Sequence, residues 1–134
     1  MFLPFLTTAV QDPTGVEVIR RRFAPRASSV SKARRLATRQ IEDPELATRV
    51  ATVVSELTSN AVLHARSGFQ LEVRTDSSAI RVTVYDGDPE LPQPVDSSPR
   101  EPSGRGLQIV AALSDRWGSH PHRDGKAVWA EIDI

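Results

Sequence analysis

The chain contains no cysteine. That excludes disulfides, thiolate metal sites and a cysteine nucleophile, and it suits a reducing cytoplasm. It also has no charge excess: 17 Lys and Arg balance 17 Asp and Glu. There is no overall pull toward nucleic acid or an anionic membrane, and neither is expected as a direct partner. No apolar run reaches the roughly 20 residues that span a bilayer. The apolar start, Met1-Phe2-Leu3-Pro4-Phe5-Leu6, lacks a basic leader and is interrupted by Pro4. A signal peptide is therefore not expected, and a cytoplasmic location is. Internal repeats are absent.

What remains is a chain of 134 residues, 39% hydrophobic and 25% charged, which fits one globular domain with one core. Residues 1–15 read as a flexible arm ending in the turn Asp12-Pro13-Thr14-Gly15. A first strand is expected over 16–24, ended by Pro25. A helix over 30–41 follows, capped by Ser28 or Ser29. Its Lys32, Arg34, Arg35 and Arg39 form a basic cluster. No aromatics interleave with these cations, so a solvated face is a better reading than nucleic-acid binding, and a protein-docking surface stays open.

Asp43 before Pro44 is a strong helix start, and the second helix is expected over 44–65, with Gly68 just beyond it. Alternation of Phe69, Leu71 and Val73, then of Ile80, Val82 and Val84, predicts two strands of a hairpin around Asp76-Ser77-Ser78. Pro89, Pro92, Pro94, Pro99 and Pro102 make a long loop, about 87–104, suited to a lid. A helix over 107–113, a short strand from Trp117 and a last strand over 126–134 complete the chain. The expected fold is a two-layer α/β (α+β) sandwich. Its sheet is mixed but mostly antiparallel, with three helices on one face.

Three stretches carry chemistry. Glu56, Asn60 and His64 recur every four residues and share one face of a helix. Val50, Val53, Val54, Leu57 and Ala61 form an apolar stripe beside them. Asn60 offers a neutral oxygen suited to Mg²⁺, which takes few protein ligands, and Glu56 could act as general base on an attacking hydroxyl. Asp86, at the end of a β-branched strand, could accept a hydrogen bond from the exocyclic amine of adenine, with Gly87 leaving room for the ring. A plain Asp-Gly turn is an equal reading of that fragment. Gly104-Arg105-Gly106 at a helix start lets amides approach an anion, or is simply a turn before a helix. It is neither a P-loop nor a dinucleotide fingerprint, because no Gly-Lys-Ser/Thr follows and no strand precedes it.

Together these stretches resemble the boxes of the Bergerat-fold ATPases, the superfamily of gyrase, histidine kinases and mismatch-repair ATPases. Glu56 to Ala65 resembles the N box, Val84-Tyr85-Asp86-Gly87-Asp88 the first glycine box, and Gly104-Arg105-Gly106-Leu107 the second. Asp88-Pro89-Glu90-Leu91-Pro92 and Gly125-Lys126-Ala127-Val128-Trp129 are similar to a small stand-alone subgroup, the anti-sigma-factor serine/threonine kinases of actinomycetes. The resemblance implies an ATP- and Mg²⁺-dependent protein kinase. It would phosphorylate an anti-anti-sigma partner and sequester a sigma factor, and a homodimer is compatible with it. Glu56 would be the catalytic base, Asn60 the Mg²⁺ ligand and Asp86 the adenine ligand. Gly104, Arg105, Gly106 and Leu107 would hold the phosphates. His64 would lie near them without a chemical role. Two departures stand out: the first glycine box lacks the fuller Asp-x-Gly-x-Gly of histidine kinases, and Ala127 takes the position where many relatives carry a threonine that helps the aspartate hold adenine. The competing readings are a partner-binding module of the same fold with little or no turnover, and the ATP-binding half of a split histidine kinase.

Overall fold

The structure, a computed structural model, describes residues 7–11, 13–64, 68–91 and 102–134. Its elements run β1 (Thr7–Gln11), β2 (Glu17–Phe23), α1 (Ala27–Thr38), α2 (Pro44–His64), β3 (Phe69–Thr75), β4 (Ala79–Asp86), α3 (Pro102–Leu113), β5 (Arg116–His122) and β6 (Gly125–Asp133). The strands form one sheet in the order β1-β2-β3-β4-β6-β5. Every neighbouring pair is antiparallel, so the sheet is simpler than the mixed one expected.

The period-two alternation of the strands divides the sheet into two unlike faces. Leu71, Val73, Ile80, Val82, Val84, Val128, Ala130 and Ile132 share a buried cluster with residues of all three helices. The helices cover this face. α2 supplies Val50, Val53, Val54, Leu57, Thr58 and Ala61 at helical spacing, α1 supplies Ala33, Leu36 and Ala37, and α3 supplies Leu107 and Val110. On the outer face, Arg20, Glu72, Thr83, Trp129 and Gly118 lie in one cross-strand row. Arg20 Nε donates to Glu72 Oε2 at 2.8 Å, and the Arg81 guanidinium lies 4.2 Å from the Trp129 ring centre. Charge neutralisation and aromatic cover let this face do without a second helical layer.

The expected boundaries shift where local chemistry competes. The arm expected over 1–15 contains a strand: Thr7–Gln11 pairs with β2, Val10 opposite Val18. Its β-branched residues suit an edge strand, and the turn through Gly15 closes a hairpin. Residues 1–6 of that arm lie outside the described residues. α1 starts at Ala27 rather than at 30, because Ser29 is not its cap; its hydroxyl donates to the Ala24 carbonyl at 2.7 Å. α2 begins as expected, with Asp43 Oδ1 accepting the Glu45 N–H at 3.1 Å. α3 begins at Pro102, earlier than the expected 107. Proline lacks an N–H, but the first helical turn has no acceptor for one. The lid expected over 87–104 therefore stops at the helix start, and its central part, 92–101, lies outside the described residues.

Candidate active site

α2 is amphipathic in a particular way. Its buried stripe faces the sheet, which leaves Glu56 and Asn60 half-buried along the flank toward α3. α3 is fixed against that flank along its middle and at its C-terminal end. Leu107 and Val110 enter the core, and Arg49 Nη2 of α2 donates to the Leu113 carbonyl at 2.8 Å, closing the last turn of α3. Just before these anchors Gly106 meets α2. A methyl carbon at Gly106 would stand 2.7 Å from Glu56 Oε2, 3.6 Å from Asn60 Oδ1 and 3.7 Å from Asn60 Nδ2. The acid, the amide and the glycine, separate in the chain, thus form one group, and the glycine is what allows the carboxylate so close to the helix.

Burial pushes the Glu56 carboxyl above its ordinary range, and no cation among the described residues pairs with it. A carboxylate that gives up water without gaining a cation binds a proton more readily than a free one. That is the property wanted of a general base working near neutral pH. Among the described residues no cluster of three or more His, Asp or Glu could hold a metal. The set fits Mg²⁺ only through Asn60 Oδ1, with phosphates and water completing the shell.

α3 places the phosphate candidates unequally. With a first turn at Pro102, the amides of Ser103 and Gly104 lack intrahelical acceptors, and the helix dipole favours an anion there. The amides of Gly106 and Leu107 fall within the helix, and the Leu107 side chain is core. Of the four expected residues, Gly104 at this end is thus best placed to present a free amide. Arg105 lies in the same turn. Gly106 contributes closeness to Glu56, and Leu107 contributes anchorage. His64, the last residue of α2, is exposed and near enough to Asp88 to help lower its pKa.

The third group sits at the end of β4. The Asp86 side chain points to the helix-covered face, where only 3% of it is exposed. Its Oδ1 accepts the N–H of Asp88 at 2.9 Å and lies 3.2 Å from Lys126 Nζ of β6. Lys126, 7% exposed in its side chain, also lies 3.5 Å from Asp88 Oδ2 and 3.4 Å from the Asp88 carbonyl. The Asp88 carboxyl is held below its ordinary range, chiefly by the Glu90 N–H, with burial opposing and Lys126 assisting. β6 can come this near because it begins with Gly125. A methyl carbon there would stand 1.8 Å from the Asp86 carbonyl oxygen. Gly87 is exposed beside the carboxylate.

The family resemblance points to Ala127 rather than Lys126 as the residue that works with Asp86. The register reverses that assignment: Asp86 pairs with Lys126 across the strands, whereas Ala127 pairs with Tyr85 and His120 and belongs to the outer face. A lysine beside two aspartates in space is invisible while their strands are unpaired. The glycine before it was the available signal, since glycine in a strand marks a close backbone approach. A cavity lined by Arg22, Gln70, Tyr85, His122 and Arg123 reaches Asp86 and Gly87 from the outer face, and Glu56 and Asn60 do not line it.

Residues 23–132 match the family of the histidine kinase-like ATPase domain. No curated protein matches the chain. Among the described residues no helix is long and apolar enough to cross a membrane.

Proposed function

Because this chain belongs to the histidine kinase-like ATPase domain family, we propose that it binds ATP with Mg²⁺ and transfers the γ-phosphoryl group to a protein hydroxyl. The acceptor class is a serine or threonine of an anti-anti-sigma protein, and the regulated partner is a sigma factor. This finer reading rests on the resemblance of the three boxes to the anti-sigma kinases. The observation that carries the chemistry is the convergence of Glu56 and Asn60 on Gly106, with a carboxylate oxygen 2.7 Å from where a side chain would begin.

In this mechanism Asp86 receives the exocyclic amine of adenine, and the amides at the start of α3 receive phosphate oxygens. Asn60 Oδ1 would hold Mg²⁺, which would supply neutralisation of the phosphate charge. Glu56 accepts the proton of the attacking hydroxyl. The hydroxyl oxygen forms a bond to the γ-phosphorus as the bond to the β,γ-bridging oxygen breaks, which releases ADP. Phosphoryl transfer needs mostly positioning and charge stabilisation, so these few groups suffice.

The test is single-turnover transfer from labelled ATP to proteins that co-purify with the chain, with ADP affinity measured in parallel. Labelled serine or threonine on a partner is the expected result. Tight partner and nucleotide binding without transfer would replace the kinase reading with that of a binding module. A label on histidine of a second protein would favour the split histidine kinase.

A further inference from the structure

Two donors, from different parts of the chain, converge on the same oxygen of Asp86. The Asp88 N–H reaches Oδ1 at 2.9 Å through a tight local turn, and Lys126 Nζ reaches it at 3.2 Å from across the sheet. Lysine has donors only and an ionised carboxylate has acceptors only. Lys126 therefore ties down Oδ1 and cannot itself supply an acceptor at this place. Its ammonium is in turn held by the Asp88 carboxylate and carbonyl, at 3.5 and 3.4 Å, so it is fixed as well as buried. Oδ1 is thus the oxygen that takes the Asp88 N–H and that lies nearest the ammonium.

We propose that Lys126 is a positioning residue that sets base specificity, anchoring Asp86 by Oδ1 so that Oδ2 is presented in one place to an exocyclic amine. The inference rests on the reading of Asp86 as the base ligand. Its chemistry concerns which purines are refused. Adenine presents an amine at C6, whereas hypoxanthine and guanine present a carbonyl oxygen there and an N–H at the neighbouring N1. A carboxylate free to swing can leave the carbonyl and accept the N1–H instead. One pinned through Oδ1 faces the carbonyl with a negative oxygen and finds no donor. A site built to hydrogen-bond one substrate group rejects an analogue lacking that group far more strongly than an apolar pocket does, because its buried polar group is left unpaired. The residue next along β6, Ala127, cannot share this work, because its side belongs to the other sheet face.

The experiment compares the affinities of ADP and inosine diphosphate, which differ in this edge of the base, for the wild-type chain, Lys126→Met and Lys126→Gln. Methionine keeps most of the length without the charge. Glutamine keeps a donor and carries the test if the methionine variant does not fold by circular dichroism. Wild type should prefer ADP strongly. Lys126→Met should lose ADP affinity while gaining on inosine diphosphate in relative terms, so that the preference falls by about tenfold or more. Lys126→Gln should fall between the two. A purely structural lysine would lower melting temperature and leave the preference of the folded protein unchanged, which overturns the proposal. Tighter ADP binding in either variant also overturns it, because Lys126 would then compete with the base for Asp86. If wild type itself does not distinguish the two nucleotides, the base-reading role of Asp86 falls and this inference falls with it. A selective wild type with equally selective variants removes only the role of Lys126.

Discussion

Asp86 and Glu56 are two carboxylates in different layers of the molecule, one ending a strand and one on a helix, and their surroundings are opposite. Asp86 ends β4 with a buried lysine 3.2 Å away and an amide at 2.9 Å. Glu56 lies midway along α2 against a glycine, and its carboxyl is pushed up by burial alone. A carboxylate compensated by fixed donors is held in place and suits recognition. One desolvated without a cation is ready to take a proton and suits chemistry. On the proposed function, this contrast matches a nucleobase at the Asp86 end and the phosphoryl group at the Glu56 end.

The largest effect that could break this contrast is on turnover. Glu56→Gln keeps the shape of the side chain and removes its proton affinity. It should reduce single-turnover phosphoryl transfer by about 10²–10⁴-fold and leave ADP affinity nearly unchanged. Transfer at the wild-type rate would deprive the phosphate end of its base.

Changing Asp86 should do the reverse. Asp86→Asn should weaken ADP binding by about 1.5–3 kcal/mol, the usual worth of a hydrogen bond to a charged group, as read by titration calorimetry. Asp86→Ala should also unfold more easily, because Lys126 would stay buried with only Asp88 beside it. Losing one partner of a buried pair costs about 3–5 kcal/mol, and Asp88 places this case toward the lower end. Denaturant titration would show it. A fully stable alanine variant would mean that Lys126 escapes to solvent.

Gly106→Ala sharpens the comparison at the other end. The added carbon forces Glu56 Oε2 away from 2.7 Å. The carboxylate is the tip of a flexible side chain, so most of the strain is relieved by moving it, and stability should fall by about 1 kcal/mol. The transfer rate should fall more than ADP affinity does. An equal loss of both would indicate a shift of the whole of α3.

The smallest effect is a pH dependence of stability. A carboxyl raised in the folded state favours folding while it is protonated, below its unfolded value of 4.5, and that advantage is lost as pH rises through the higher folded value. Glu56→Gln has no such loss. The variant should therefore gain in melting temperature relative to wild type as pH rises from about 4 to 8. A gap that does not grow would show that Glu56 gains a cation in solution.

The reach of the sequence is clearest along α2. Asp43 and Pro44 mark its start, the valine stripe marks its buried side, and the four-residue spacing of Glu56 and Asn60 places both on one flank, because a helix converts local spacing directly into geometry. Strand alternation likewise separated core from surface in β3, β4 and β6, and the order of elements pointed to two layers. The sequence left open which strand of the last hairpin borders β4, that Gly106 rather than Arg105 or Leu107 meets Glu56, and that Asp86 shares its burial with a lysine. Those are contacts between segments distant in the chain. A register shifted by one residue would have exchanged Lys126 for Ala127 beside Asp86, so only the assembled sheet, pinned by the close approach at Gly125, decides which of the two stands there.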